Sequence, residues 1–207
     1  METEIIFAIA ILVMSVVIHE VAHGYAALWL GDVTAKYAGR LTLNPIKHID
    51  PFGSIIIPLL MAILPGNLIF GWAKPVPYNP YNLKNQRWGE LIVAAAGPLS
   101  NIIIAIVFGL LIRFAPLLDL PSAFIQISLT VVFINLVLAV FNLIPIAPLD
   151  GSKILYSLLP EDKARAFMDF TNRYSIFLLV FFIFVLWQFV IYIVFLLAKL
   201  ITGLPIF

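Results

Sequence analysis

The chain has 207 residues, 63% of them hydrophobic and 11% charged, with a mean hydropathy of +1.09. An ordinary soluble domain is about half apolar and about a quarter charged, so this composition excludes a soluble globular enzyme and a disordered chain and implies an integral membrane protein. A net charge of +1 gives no sign of nucleic-acid binding, and the absence of cysteine excludes a disulfide framework and thiolate metal ligands. The length suits one membrane-embedded domain over residues 1–207.

The first apolar stretch, residues 5–30, follows Met1-Glu2-Thr3-Glu4. This start lacks the positive region of a secretory signal, so the stretch is read as a retained span. Within it lies His19-Glu20-Val21-Ala22-His23. Residues four apart share a helical face, so both imidazoles can reach one cation. Glu20 points about 100° away and can address a water rather than the metal. The pattern fits a zinc hydrolase with two neutral histidine ligands and a third protein ligand. Ionisable side chains in a span are costly and by default functional. The plainer readings are a polar helix-packing cluster and, for Glu20, a partner for a neighbouring histidine.

Two polar loops follow, 31–51 and 71–89. Alternation over 36–43 predicts a short strand or hairpin. Its 39–43 part is a candidate edge strand for an unwound substrate, or else an interfacial hairpin without substrate contact. His48 lies in a proline-flanked loop and is open to three readings: a group behind the metal ligands, a gate, or a loop histidine bonded to a carbonyl. Between the loops, residues 52–70 are apolar but carry Pro58 and Pro65-Gly66. Proline breaks a helix, and in lipid such a break is tolerated only where protein or water covers it. This stretch is therefore expected to be re-entrant or kinked. The second loop is rich in Pro and Asn and reads as extended or turn structure.

Residues 91–114, 123–144 and 175–201 complete about four spans of about 20 residues or more. If 52–70 dips in and returns, ten of the twelve Lys and Arg residues lie on one side, leaving Arg113 and Lys199 on the other. If it crosses, the split is five against seven. The positive-inside rule selects the first arrangement, with both termini outside and the basic loops in the cytoplasm. The aromatic-rich last span reads as lipid contact or a lateral gate.

The third ligand is sought among the carboxylates. Asp119 falls on the outer side, and Glu161, Asp162 and Asp169 sit among basic residues. Asp150 ends Asn142-Leu143-Ile144-Pro145-Ile146-Ala147-Pro148-Leu149-Asp150-Gly151, where two prolines break the helix and mark a lined cavity. In the favoured topology it lies at the same end as the histidine pair. The competing reading is a helix N-cap.

His19–His23, Ala94-Ala95-Ala96-Gly97-Pro98-Leu99-Ser100-Asn101 and 142–151 together resemble, in order and spacing, the signatures of the site-2 protease family of intramembrane zinc metalloproteases. The loops resemble a compact subgroup without PDZ or CBS domains. The resemblance implies an all-α membrane bundle holding Zn2+ through His19, His23 and Asp150, with Glu20 as general base. It also implies that Asn142 binds the substrate backbone or the developing oxyanion. The implied substrate is a transmembrane protein cut within the bilayer. The expected location is the plasma membrane of a prokaryote, with the active site toward the cytoplasm. Asn101 reads as helix packing near the site.

The alternative is a zinc-binding but non-proteolytic membrane regulator or chaperone, which the intact Glu20 argues against. A prenyl-protein endopeptidase would need a downstream glutamate ligand, and only Glu90 and Glu161 are present, both at loop edges. A transporter would need a second internal repeat.

Overall fold

The computed structural model describes residues 2–57 and 71–204, and its regular structure there is entirely helical. Helix α1 spans Glu2–Trp29, α2 Thr34–Tyr37, α3 Gln86–Arg113, α4 Ala115–Leu118 and α5 Ser122–Asn142. Then come α6 over Asp150–Leu158, α7 over Glu161–Arg173, α8 over Ser175–Phe181 and α9 over Trp187–Thr202. A π-helical turn, Phe182–Leu186, joins α8 to α9, so Ser175–Thr202 reads as one span. With α1, α3 and α5 it makes four helices among the described residues that are long and apolar enough to cross a membrane.

Helix α3 is the central element and packs against α1, α5, α6 and α9. Its buried face carries Gly89, Ala94, Gly97, Ala105 and Gly109. In lipid, apolar contact between helices gains little over contact with acyl chains, so close backbone approach through small residues sets which helices pair. Asn85 starts α3 by accepting from the Trp88 N–H. Pro98 sits inside the helix and is fully buried, with the bundle around it. Beyond the polar centre, Ala105, Ile112, Val132, Leu136, Val190 and Val194 form the apolar core shared by α3, α5 and α9.

The predicted hairpin over 36–43 is not what the chain forms, and no strand occurs among the described residues. Local bonds claim its backbone first. The Asp32 carboxylate accepts from the Thr34 N–H, Tyr37 and Ala38 donate to Val33 and Thr34, and Arg40 donates to the Ala35 carbonyl. These bonds make the short helix α2, and residues 40–44 after it form neither helix nor strand. The re-entrant reading of 52–70 falls largely on residues 58–70, outside the described residues. At its borders, Trp72 donates to the Gly53 carbonyl and Ser54 Oγ donates to the Trp72 carbonyl.

Candidate metal centre

One turn of α1 supplies His19 and His23, both buried and stacked edge to face. Their Nε2 atoms lie 3.1 Å apart. Asp150 is the first residue of α6, reached through the proline-broken turn after α5, and its Oδ2 lies 3.1 Å from His19 Nε2 and 3.3 Å from His23 Nε2. The N-cap position of α6 falls on Leu149, so Asp150 is turned to the histidines rather than acting as the cap. Gly151 permits this turn, because a Cβ there would collide with the Leu143 and Ile144 carbonyl oxygens.

Each imidazole is oriented by its other nitrogen. His23 Nδ1 donates to the Val93 carbonyl at 2.6 Å. A carbonyl only accepts, so the proton sits on Nδ1 and the Nε2 lone pair faces the cluster. His19 Nδ1 donates to Asn101 Oδ1, also at 2.6 Å. Asn101 is thus a direct partner of His19, not only a packing residue between helices.

These atoms fit a zinc ion. Tetrahedral ligands about 2.0–2.1 Å from zinc lie about 3.3 Å from one another, close to the three separations seen. Space is also kept for the ion. A Cβ at Gly97 would fall on both histidine Nε2 atoms, so the smallest residue stands where α3 faces the pair. The adjoining cavity of about 150 Å³ is bordered by Glu20, Val76, Tyr78, Asn142 and Lys153. That is room for several water molecules.

Glu20 is half-buried at this cavity, and its Oε2 accepts from the Val76 N–H at 2.7 Å. Val76 lies in an extended strap, Lys74-Pro75-Val76-Pro77-Tyr78, tied down on both sides. Arg40 donates to the Lys74 carbonyl, and the Lys74 N–H donates to the His48 carbonyl. On the other side, the buried Asp32 accepts from the Asn79 N–H and the Asn82 side-chain amide. Burial pushes the Asp32 carboxyl up, but these bonds and those from Thr34 outweigh it and hold it below the usual carboxylate range.

His48 is not brought to the cluster. Its Nε2 donates to the Thr42 carbonyl at 2.9 Å, as the loop-histidine reading expects. Asn142 borders the cavity but spends its Nδ2 on the Leu138 carbonyl one turn back. Sequence reasoning did not single out Asn135, Ser15, Asp32, Tyr78, Lys153 or Gly97's fit against the histidines. An amide in the middle of an apolar span was the available signal for Asn135.

Residues 7–128 and 118–186 match the profile of Peptidase family M50, and these ranges contain the histidine pair, Glu20, Asn142 and Asp150. The chain belongs to peptidase family M50. Among curated relatives, "Putative zinc metalloprotease YwhC" of Bacillus subtilis is 41% identical over 175 residues, covering 82% of this chain and 76% of its own length. "Putative zinc metalloprotease Rip2" of Mycolicibacterium smegmatis is 31% identical over 78% of this chain and 60% of its own length. "Zinc metalloprotease MJ0392" of Methanocaldococcus jannaschii is 30% identical over 73% of this chain and 34% of its own length. No solved structure matches the chain.

Proposed function

We propose that this M50 chain is an intramembrane zinc metalloprotease that hydrolyses peptide bonds within or near the transmembrane segments of membrane-protein substrates. Residues 1–207 act as one membrane-embedded unit, with the site toward the cytoplasmic side of a prokaryotic plasma membrane. His19, His23 and Asp150 hold the zinc. The observation that carries this reading is the convergence of their three ligand atoms within 3.3 Å, beside a glutamate and a cavity. The relatives named as zinc metalloproteases support the choice of ion.

Bound zinc supplies Lewis-acid polarisation of a carbonyl and of a water molecule. The residues supply the rest. Glu20 takes the proton from the attacking water and later passes it to the leaving amine. Val76 orients that carboxylate by occupying Oε2, which leaves Oε1 for the water. Asn142 borders the cavity where an oxyanion donor is needed, and presents it once substrate draws its amide away from Leu138. A spanning substrate must unwind locally, because the carbonyls of an intact helix are hydrogen-bonded and shielded.

Metal analysis and cleavage of a transmembrane reporter test this reading. His19→Ala and His23→Ala are expected to lose zinc, Asp150→Asn to weaken it, and Glu20→Gln to keep it. All four are expected to lose cleavage. Full zinc in both histidine variants, or undiminished cleavage by Glu20→Gln, would sink the proposal.

A further inference from the structure

Behind His19 runs a chain of buried amides that crosses the bundle. Asn101 on α3 and Asn135 on α5 are both completely buried, and Ser15 on α1 nearly so. Asn101 Nδ2 donates to Asn135 Oδ1 at 2.8 Å and reaches the Ser15 carbonyl at 3.4 Å. Asn135 Nδ2 donates to the Val131 carbonyl and to Ser15 Oγ, both at 2.9 Å.

The polarity of this chain is fixed from its far end. A side-chain amide can be turned either way, and only its partners decide which end is oxygen. The Val131 carbonyl can only accept, so the atom of Asn135 facing it must be Nδ2. Asn135 then presents Oδ1 to Asn101. That oxygen can only accept, so Asn101 must turn Nδ2 toward it, and the Ser15 carbonyl on the same side asks for the same orientation. Asn101 is left presenting Oδ1 to His19. An oxygen at that place requires a proton on His19 Nδ1 and leaves the lone pair on Nε2, toward Asp150 and His23. A reversed Asn101 would present N–H groups to Nδ1, favour a proton on Nε2, and block that nitrogen as a ligand.

We infer that Asn135, whose hydrogen bonds go to Asn101, Ser15 and Val131 and not to the ligand cluster, is a positioning residue that sets the tautomer of His19 through the orientation of the Asn101 amide. The inference rests on His19 being a metal ligand. Four residues on three helices thereby make metal binding depend on correct packing of the bundle. Removing such support behind a ligand typically costs about 10–100-fold in metal affinity.

The test measures Zn2+ affinity of the full-length protein in detergent, by competition with a chromophoric chelator. Asn135→Leu keeps the volume and suits an apolar span, but removes the acceptor for Asn101. It is expected to weaken zinc binding about 10–100-fold. Asn101→Leu is expected to do at least the same. The decisive variant is Asn101→Asp. A carboxylate accepts from His19 Nδ1 whichever way it turns, so it has no wrong orientation for Asn135 to prevent. In that background Asn135→Leu is expected to cause no further loss. Should Asn135→Leu alone fail to accumulate, recovery of folded, zinc-binding protein in the Asn101→Asp background is the same rescue. An equal loss in both backgrounds, or a double variant that holds no zinc, would assign Asn135 to packing and overturn the inference. His19→Ala is run alongside. If it keeps zinc, the metal reading itself fails. If it loses zinc while Asn135→Leu keeps wild-type affinity, only this inference fails.

Discussion

Helices α1, α3 and α5 bury Ser15, His19, His23, Asn101 and Asn135, each hydrogen-bonded within the bundle, whereas the span from Ser175 to Thr202 buries only Thr202 among its polar side chains. The difference extends to the apolar residues. In the most apolar window of that last span 6% is buried, against 33% for α3 and for α5. Ile176, Phe177, Phe184, Phe189 and Tyr192 are all more than half exposed. The contrast follows from the solvent. In hydrocarbon a polar group must find its partners inside the protein, so the helices that carry such groups must enclose one another. A span without such groups can give nearly its whole surface to lipid. Clustering of the buried polar groups and tight packing of three helices are thus two views of one constraint.

The comparison can be broken most directly at Gly97. Gly97→Ala puts a methyl on both histidine Nε2 atoms, and is expected to abolish zinc binding and cleavage together. Zinc analysis showing full occupancy would mean that α3 stands further from α1 than described. Next in size is Asn142→Ala, expected to keep zinc and lower the cleavage rate about 10²–10³-fold, as for one oxyanion donor. Loss of zinc with it would move Asn142 into the metal shell.

A smaller effect is expected at Asp32, which ties the strap to α1. Asp32→Ala removes a charged acceptor from the part-buried donors of Thr34, Asn79 and Asn82 and is expected to cost about 1–3 kcal/mol of stability, readable by thermal unfolding in detergent. The contribution also has a pH signature. The folded carboxyl is held below its ordinary value of about 3.9. Its stabilisation is therefore present in full above that value and fades as pH falls through the folded pKa. Acid titration of wild type and Asp32→Ala should converge at the acid end only. Smallest of all is the last span. Phe184→Ala, exposed to lipid, is expected to change stability by less than about 0.5 kcal/mol, whereas Leu136→Ala in the shared core should cost about 2–5 kcal/mol. Equal effects would erase the distinction between the two regions.

Much of the site could be read from the chain because its parts are local. His19, Glu20 and His23 sit on one helical turn, and Asp150 is marked by the prolines before it. The four long apolar helices were equally plain from length and hydropathy. The hairpin failed because alternation over 36–43 says nothing of Asp32, whose carboxylate starts a helical turn before any strand can pair. His19, Asn101 and Asn135 belong to three different helices, and their contacts exist only once those helices have packed. A sequence shows Asn135 as an amide in an apolar span, but not which nitrogen or oxygen faces which neighbour. The tie between Glu20 and Val76 was hidden for the same reason, since it joins α1 to a loop 56 residues later.

That tie has a consequence for how the strap can move. Val76 stands between Pro75 and Pro77, and proline has no backbone N–H. Sliding the strap by one residue in either direction would bring Glu20 opposite a position with nothing to donate. The alignment of strap and carboxylate is therefore all-or-none: either Val76 is in place, or Glu20 has no backbone partner from the Pro75–Pro77 stretch.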